Sequence, residues 1–116
     1  MLTRVELLAR RCRPLDGAPL RDEQIAQQLA VLPGWRHDGG FVRRVFRFAD
    51  YAATIAFVNS VARLADAEDH HPELHVAYAR CEVAFNTHSV GGISENDFIC
   101  AAKVDALTTQ PPDAPE

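Results

Sequence analysis

Cysteine is sparse in this chain, and its three members, Cys12, Cys81 and Cys100, are far apart with no Cys-x-x-Cys pair. An odd, dispersed set argues against a disulfide framework and for reduced, cytosolic usage. Cys81 and Cys100 read as small core residues. Long apolar runs are missing too: none approaches the roughly 20 residues of a membrane span. The start, with Glu6 and then Arg10, Arg11 and Arg13, lacks the apolar centre of a secretory signal. Excess positive charge is also absent. The net charge of −4 gives little general attraction to nucleic-acid phosphate or anionic lipid. The expectation is a cytoplasmic protein with neither nucleic acid nor membrane as partner. There is no His-Glu-x-x-His and no internal repeat strong enough to use. The 116 residues, 47% of them hydrophobic, suffice for one domain with a real core.

Residues 1–20 read as an N-terminal arm. Leu2, Val5, Leu7 and Leu8 can form a short amphipathic helix before Arg13-Pro14-Leu15-Asp16-Gly17-Ala18-Pro19 breaks it. Residues 109–116 read as a disordered tail. Between them, 21–108 read as one domain of three helices and four strands. Asp22 caps a helix carrying Ile25, Leu29 and Leu32. Trp35 to His37 and Phe41 to Phe48 pair across Asp38-Gly39-Gly40, with Phe46 and Phe48 on one face and Arg43 and Arg47 on the other. Asp50 caps a long helix with Tyr51, Ile55, Val58, Ala62 and Ala65 as its buried stripe, which Pro72 ends. Leu74 to Tyr78 and Cys81 to His88 form a second strand pair. There Cys81, Val83 and Phe85 face one way, and Glu82, Ala84, Asn86 and His88 the other. Ser94-x-x-Asp97 is a capping box opening a last helix through Leu107. The expected architecture is α+β: a four-stranded antiparallel sheet with three helices packed on one face. Its open edges predict an edge-to-edge dimer.

The chemistry concentrates in Asp66-Ala67-Glu68-Asp69-His70-His71-Pro72, with His88 and Asp97 beyond it. Imidazole, with an unperturbed pKa of roughly 6.5, is well suited to moving protons near neutrality. His70 follows Asp66 by four residues, so on a helix the carboxylate can hold one ring nitrogen and leave the other free. The alternative is a plain helix-end histidine favoured by the macrodipole. His71, held extended before proline, points differently, so the two rings can address two atoms of one ligand. His88 closes a strand in its polar register, where it reaches a cleft or simply faces water. Asp97 caps its helix and can line a cleft as well. Gly91-Gly92 before a helix can leave backbone N–H groups for an anion or carbonyl. Metal is the rival, but adjacent histidines diverge and no cysteine pair joins them, so no metal ligand is assigned. His37 and His75 are assigned no role.

At these residues the chain resembles the pterin-4a-carbinolamine dehydratases. The likeness covers roughly residues 20 to 108: Leu32-Pro33-Gly34-Trp35, Phe46-x-Phe48, Ala56-Phe57, Asp66-x-x-x-His70-His71-Pro72, Tyr78, Thr87-His88 and Gly91-Gly92-x-Ser94-x-x-Asp97-Phe98. The resemblance implies a homodimer or homotetramer that dehydrates 4a-hydroxytetrahydropterin to quinonoid dihydropterin, recycling the tetrahydrobiopterin of an aromatic amino-acid hydroxylase. Pterin would be substrate, and no metal or organic cofactor would be needed. His70, His71 and His88 would be catalytic, Asp66 orienting His70 and Asp97 supporting the site. Pro72, Thr87, Ser89 and Val90 would touch substrate. Leu74, Val76 and Ser89 depart from the common pattern, the first two weakening the polar or stacking lining of the pocket. The resemblance also admits a non-catalytic alternative, since members serve as coactivators or as RuBisCO assembly factors, a chaperone-like role tied to the carboxysome.

Overall fold

The computed structural model describes residues 1–110, so the expected tail lies outside the described residues except for Thr109 and Gln110. The elements are α1 (Arg4–Ala9), α2 (Asp22–Leu29), β1 (Arg36–Asp38), β2 (Phe41–Arg47), α3 (Tyr51–Glu68), β3 (Glu73–Ala77), β4 (Arg80–Phe85) and α4 (Glu95–Asp105), with a 3₁₀ turn at His88–Val90. The strands form one open antiparallel sheet in the order β1-β2-β4-β3. Helices α3 and α4 pack on one face, giving the expected α+β architecture with α1 as an added helix. No described helix is long and apolar enough to cross a membrane.

The β1–β2 hairpin turns on Gly39 and Gly40, whose φ values of 61° and 81° suit the two positive positions of a tight hairpin turn. Its register sets Val42 opposite Phe85 and Phe46 opposite Cys81 across the β2–β4 seam. All four are buried. Trp35, Phe46, Phe57 and Phe85 form a connected ring cluster with centroid separations of 4.8 to 6.2 Å. Burying each such ring contributes roughly 1.5–3 kcal/mol. Two residues break the simple alternation. Ala84, on the polar register, is buried. Arg44 points inward, and its guanidinium lies 2.8 Å from Asp105 and over the Phe46 ring. Trp35 Nε1–H donates to the same carboxylate at 2.9 Å, so the buried charge is paired and its remaining valences are used.

Several boundaries differ from the sequence-based expectation. The N-cap of α2 is Arg21, not Asp22, and the Gln24 side chain accepts the Arg21 N–H. Asp50 does cap α3, accepting the Ala53 N–H at 2.8 Å. That helix stops before Pro72 exerts its effect. Asp69 adopts the left-handed conformation, φ 51°, while the His70 N–H reaches back to the Ala65 carbonyl and the Asp69 N–H to that of Asp66. This is a Schellman stop, and aspartate is among the few non-glycine residues that tolerate its αL position.

The N-terminal arm is folded onto the domain. Thr3 and Glu6 form a capping box for α1, which sets Leu7 fully inside the core. Beyond it the chain runs without regular structure to Leu20, whose N–H donates to the Ile93 carbonyl. A Cβ on Gly92 would sit 2.9 Å from Pro19 Cβ, so glycine there lets the arm lie flat.

Candidate active site

The Schellman stop determines where the two adjacent histidines go. Because Asp69 reverses the helical path, His70 turns inward toward α4 and His71 turns back along α3. His70 Nε2 lies 2.6 Å from Asp97 Oδ1. Its ring stacks on buried Phe85 with a centroid separation of 5.8 Å and an interplanar angle of 7°. Asp97 is fully buried, and its other oxygen accepts from the Ser94 N–H and from Thr87 Oγ1, both at 2.8 Å.

Donor counting fixes the direction of this network. Thr87 has one hydroxyl proton and gives it to Asp97. The 2.6 Å contact between Thr87 and Ser94 hydroxyls is therefore a donation from Ser94, whose oxygen accepts the Asn96 N–H. The Asp97 carboxylate then accepts a hydrogen bond from His70 Nε2–H, and in the neutral form of that ring the lone pair sits on Nδ1. No described protein group hydrogen-bonds that nitrogen. Asp97 thus caps α4 and orients the histidine with one carboxylate.

The expected partner of His70 was Asp66, and the structure corrects this. Asp66 Oδ1 instead lies 2.9 Å from His71 Nε2. The helical i, i+4 relation fails because Asp69 is not helical, and the carboxylate meets the residue five positions on. The expected strand-end placement of His88 is also corrected. β4 ends at Phe85, and His88 opens the 3₁₀ turn as an exposed side chain. Nor do Gly91 and Gly92 leave free amides: their N–H groups bond the His88 and Thr87 carbonyls.

A recess of about 210 Å³ lies beside His70, with Thr87 and Ser89 also in its lining. It is smaller than the roughly 300–1,000 Å³ of drug-sized sites, which suits a compact ligand. His71, His88, Asp66, half-buried Pro72 and buried Val90 are not part of its wall. Neither Leu74 nor Val76 lines it: Leu74 packs on the core and Val76 is exposed on the edge strand β3. A larger hollow of about 300 Å³ beside Gln24, Gln28 and Phe98 holds no histidine. Among the described residues no three His, Cys, Asp or Glu side chains have a metal-holding arrangement.

The rest of the recess wall comes from residues to which the sequence assigns no role. Cys12, Arg13, Pro14 and Leu15 of the arm line it, with Glu68, Asp69 and Asn96. Ser89 Oγ–H donates to the Leu15 carbonyl at 2.7 Å. Buried Asn96 donates to the Arg13 carbonyl at 2.7 Å and accepts its N–H at 3.3 Å. Buried Glu68 accepts the Cys12 N–H at 2.8 Å and pairs with Lys103 and Arg11, each at 2.9 Å. Burial opposes its charge, but the Lys103 bond, the Cys12 N–H and Arg11 prevail and hold the carboxyl below its ordinary value. The available signal was positional: Glu68 sits two residues before His70, and Asn96 one before Asp97.

The family model described as pterin 4 alpha carbinolamine dehydratase matches residues 18–107. A protein of Bdellovibrio bacteriovorus is 54% identical over 111 residues, covering 92% of each chain. One of Nitrosospira multiformis is 48% identical over 104 residues, covering 88% of this chain and 92% of its own. Both carry the provisional name pterin-4-alpha-carbinolamine dehydratase. Among solved structures, a transcriptional coactivator/pterin dehydratase from Brucella melitensis superposes with a TM-score of 0.72 at 35% identity, over 77% of this chain and 97% of its own. A pterin dehydratase-like protein identified as a RuBisCO assembly factor in the alpha-carboxysome gives 0.55 at 28% identity, over 64% and 88%. With the family model matched over residues 18–107 and relatives at about half identity over most of its length, the chain belongs to the pterin-4α-carbinolamine dehydratase family.

Proposed function

We propose that the protein removes water from 4a-hydroxytetrahydropterin, giving quinonoid dihydropterin, by histidine acid–base catalysis. The observation that carries this reading is His70, held through Nε2 by fully buried Asp97 and lining a small recess. In the reaction the C4a–O bond breaks, a proton joins the departing hydroxide, and the N5–H proton is lost as the C4a=N5 bond forms. A fixed basic nitrogen suits the second transfer. The family resemblance gives the first transfer to His71 and His88, which stand outside the recess wall and are exposed, where solvent can reload them with protons. Positioned acid–base groups contribute about 10²–10⁴-fold each. The step balances with pterin as substrate and needs no metal or organic cofactor. The product feeds a reductase that regenerates tetrahydropterin for an aromatic amino-acid hydroxylase. A homodimer or homotetramer joined through an open sheet edge fits the exposed β3 strand.

A stopped-flow assay with 4a-hydroxytetrahydropterin tests the reading. Catalysis in the wild type and its loss in His70→Ala are expected, whereas a background rate in folded wild type would reject it.

The assembly-factor neighbour at 28% identity favours a second reading, a non-catalytic RuBisCO assembly role. Co-purification with RuBisCO and failed assembly in a deletion strain would support it. Normal assembly in that strain would exclude it.

A further inference from the structure

The arm meets α4 at a pair of sulfurs that the proposed dehydration does not use. Cys12 Sγ lies 3.4 Å from Cys100 Sγ, which is van der Waals contact. A disulfide of about 2.05 Å requires an approach of only about 1.4 Å. Cys12 belongs to a stretch without regular structure, so the arm can supply that movement while α4 stays in place. We propose that Cys12 and Cys100 form a reversible dithiol–disulfide site, oxidised by peroxide entering through the recess, that fastens the arm as a wall beside His70.

Access and selectivity follow from burial. Half-buried Cys12 lines the recess, whereas Cys100 and Cys81 are buried. Cys12 Sγ–H is given to the Asn96 carbonyl, so Cys100 donates the thiol contact; that bond, with burial, holds the Cys100 thiol above its ordinary value, and the more accessible Cys12 reacts first. Its thiolate attacks one peroxide oxygen, the O–O bond breaks, hydroxide leaves and a sulfenic acid forms. Cys100 Sγ then attacks that sulfur. The S–O bond breaks, and the departing hydroxide takes the Cys100 proton as water. Two thiols are oxidised and one peroxide is reduced to two waters. A dithiol reductant reverses the bond by exchange.

Cys81 is the internal control. Its sulfur has a backbone carbonyl at 3.9 Å as its hydrogen-bond partner, and burial and Glu82 push its thiol up to about 11.

The arm is already docked for this reaction. Glu68 holds the Cys12 N–H and Asn96 holds both backbone groups of Arg13, so the pairing adds a covalent clasp to a preformed contact. The clasp joins positions 88 residues apart, and closing so long a loop strongly restricts the unfolded chain.

The test treats the full chain with hydrogen peroxide, alkylates free thiols, digests without reduction and maps peptides by mass spectrometry. The Cys12 and Cys100 peptides should appear joined, with Cys81 alkylated, and dithiothreitol should restore all three thiols. The oxidised protein should melt at least about 5 °C higher. In Cys12→Ser, Cys100 should stay reduced under the same treatment. Cys12 proceeding to sulfinic acid while Cys100 remains alkylatable would overturn the proposal, as would equal loss of the Cys100 thiol in Cys12→Ser. No pterin enters the experiment, so its outcome is separate from that of the dehydratase assay.

Discussion

His70 and His71 are neighbours, each paired through Nε2 with an aspartate, yet they sit in opposite environments. The side chains of His70 and Asp97 are 11% and 0% exposed, and those of His71 and Asp66 57% and 81%. The first pair is shorter, backed by Thr87 and Ser94, and stacked on Phe85. The second has water on most sides. An exposed pair of this kind is worth about 0–1 kcal/mol. A buried one is expensive to assemble, and removing one partner costs about 3–5 kcal/mol because a charge or donor is stranded. Buried geometry fixes a tautomer, and exposed geometry leaves a ring free to exchange protons with solvent.

The largest effect belongs to Asp97. Asp97→Ala should lower stability by about 3–5 kcal/mol, read as a lower urea midpoint. Asp97→Asn keeps the volume but can turn its amide toward His70, and should reduce dehydration by about 10²-fold or more with a smaller loss of stability. Equal effects from Asp66→Asn would erase the contrast between the two pairs. Thr87→Val keeps the shape and removes the hydroxyl between Ser94 and Asp97. It should cost about 1–3 kcal/mol, and its loss of activity should appear in kcat more than in KM.

The next prediction concerns Glu68 and pH. Its folded-state carboxyl lies below the ordinary value of 4.5. Stability from this group is therefore fully present above that value and is lost as pH falls through the depressed one. Wild type should lose urea resistance on acidification below 4.5 more steeply than Glu68→Gln, which already lacks the charge at neutral pH. Identical acid limbs would show that the arm clasp is not electrostatic. The smallest effect is that of Asp66→Asn, expected to change stability by less than about 0.5 kcal/mol, a difference that chemical denaturation in low and high salt would bound.

The same contrast shows what a sequence reveals. The sheet was legible because Cys81, Val83 and Phe85 place an apolar side chain at every second position and Gly39-Gly40 names its own turn. The Asp97 cap was legible because a Ser-x-x-Asp spacing has one geometric meaning. The pairing of His70 was not, because the i, i+4 rule presumes a helix that continues, and one αL residue, Asp69, redirected both rings. Arg44 lay hidden in a strand whose other arginines face out. The role of the arm was illegible for a different reason. Its docking depends on Glu68 and Asn96, each of which reads from the sequence as an ordinary polar residue on a helix and acquires meaning only from a chain segment distant in sequence.

The most direct measurement compares single-turnover dehydration of 4a-hydroxytetrahydropterin by wild type, His70→Ala and Asp97→Asn, each verified as folded. The account predicts catalysis above the spontaneous rate in wild type and a fall of at least about 10²-fold in both variants. Wild-type turnover that survives either change intact would contradict it.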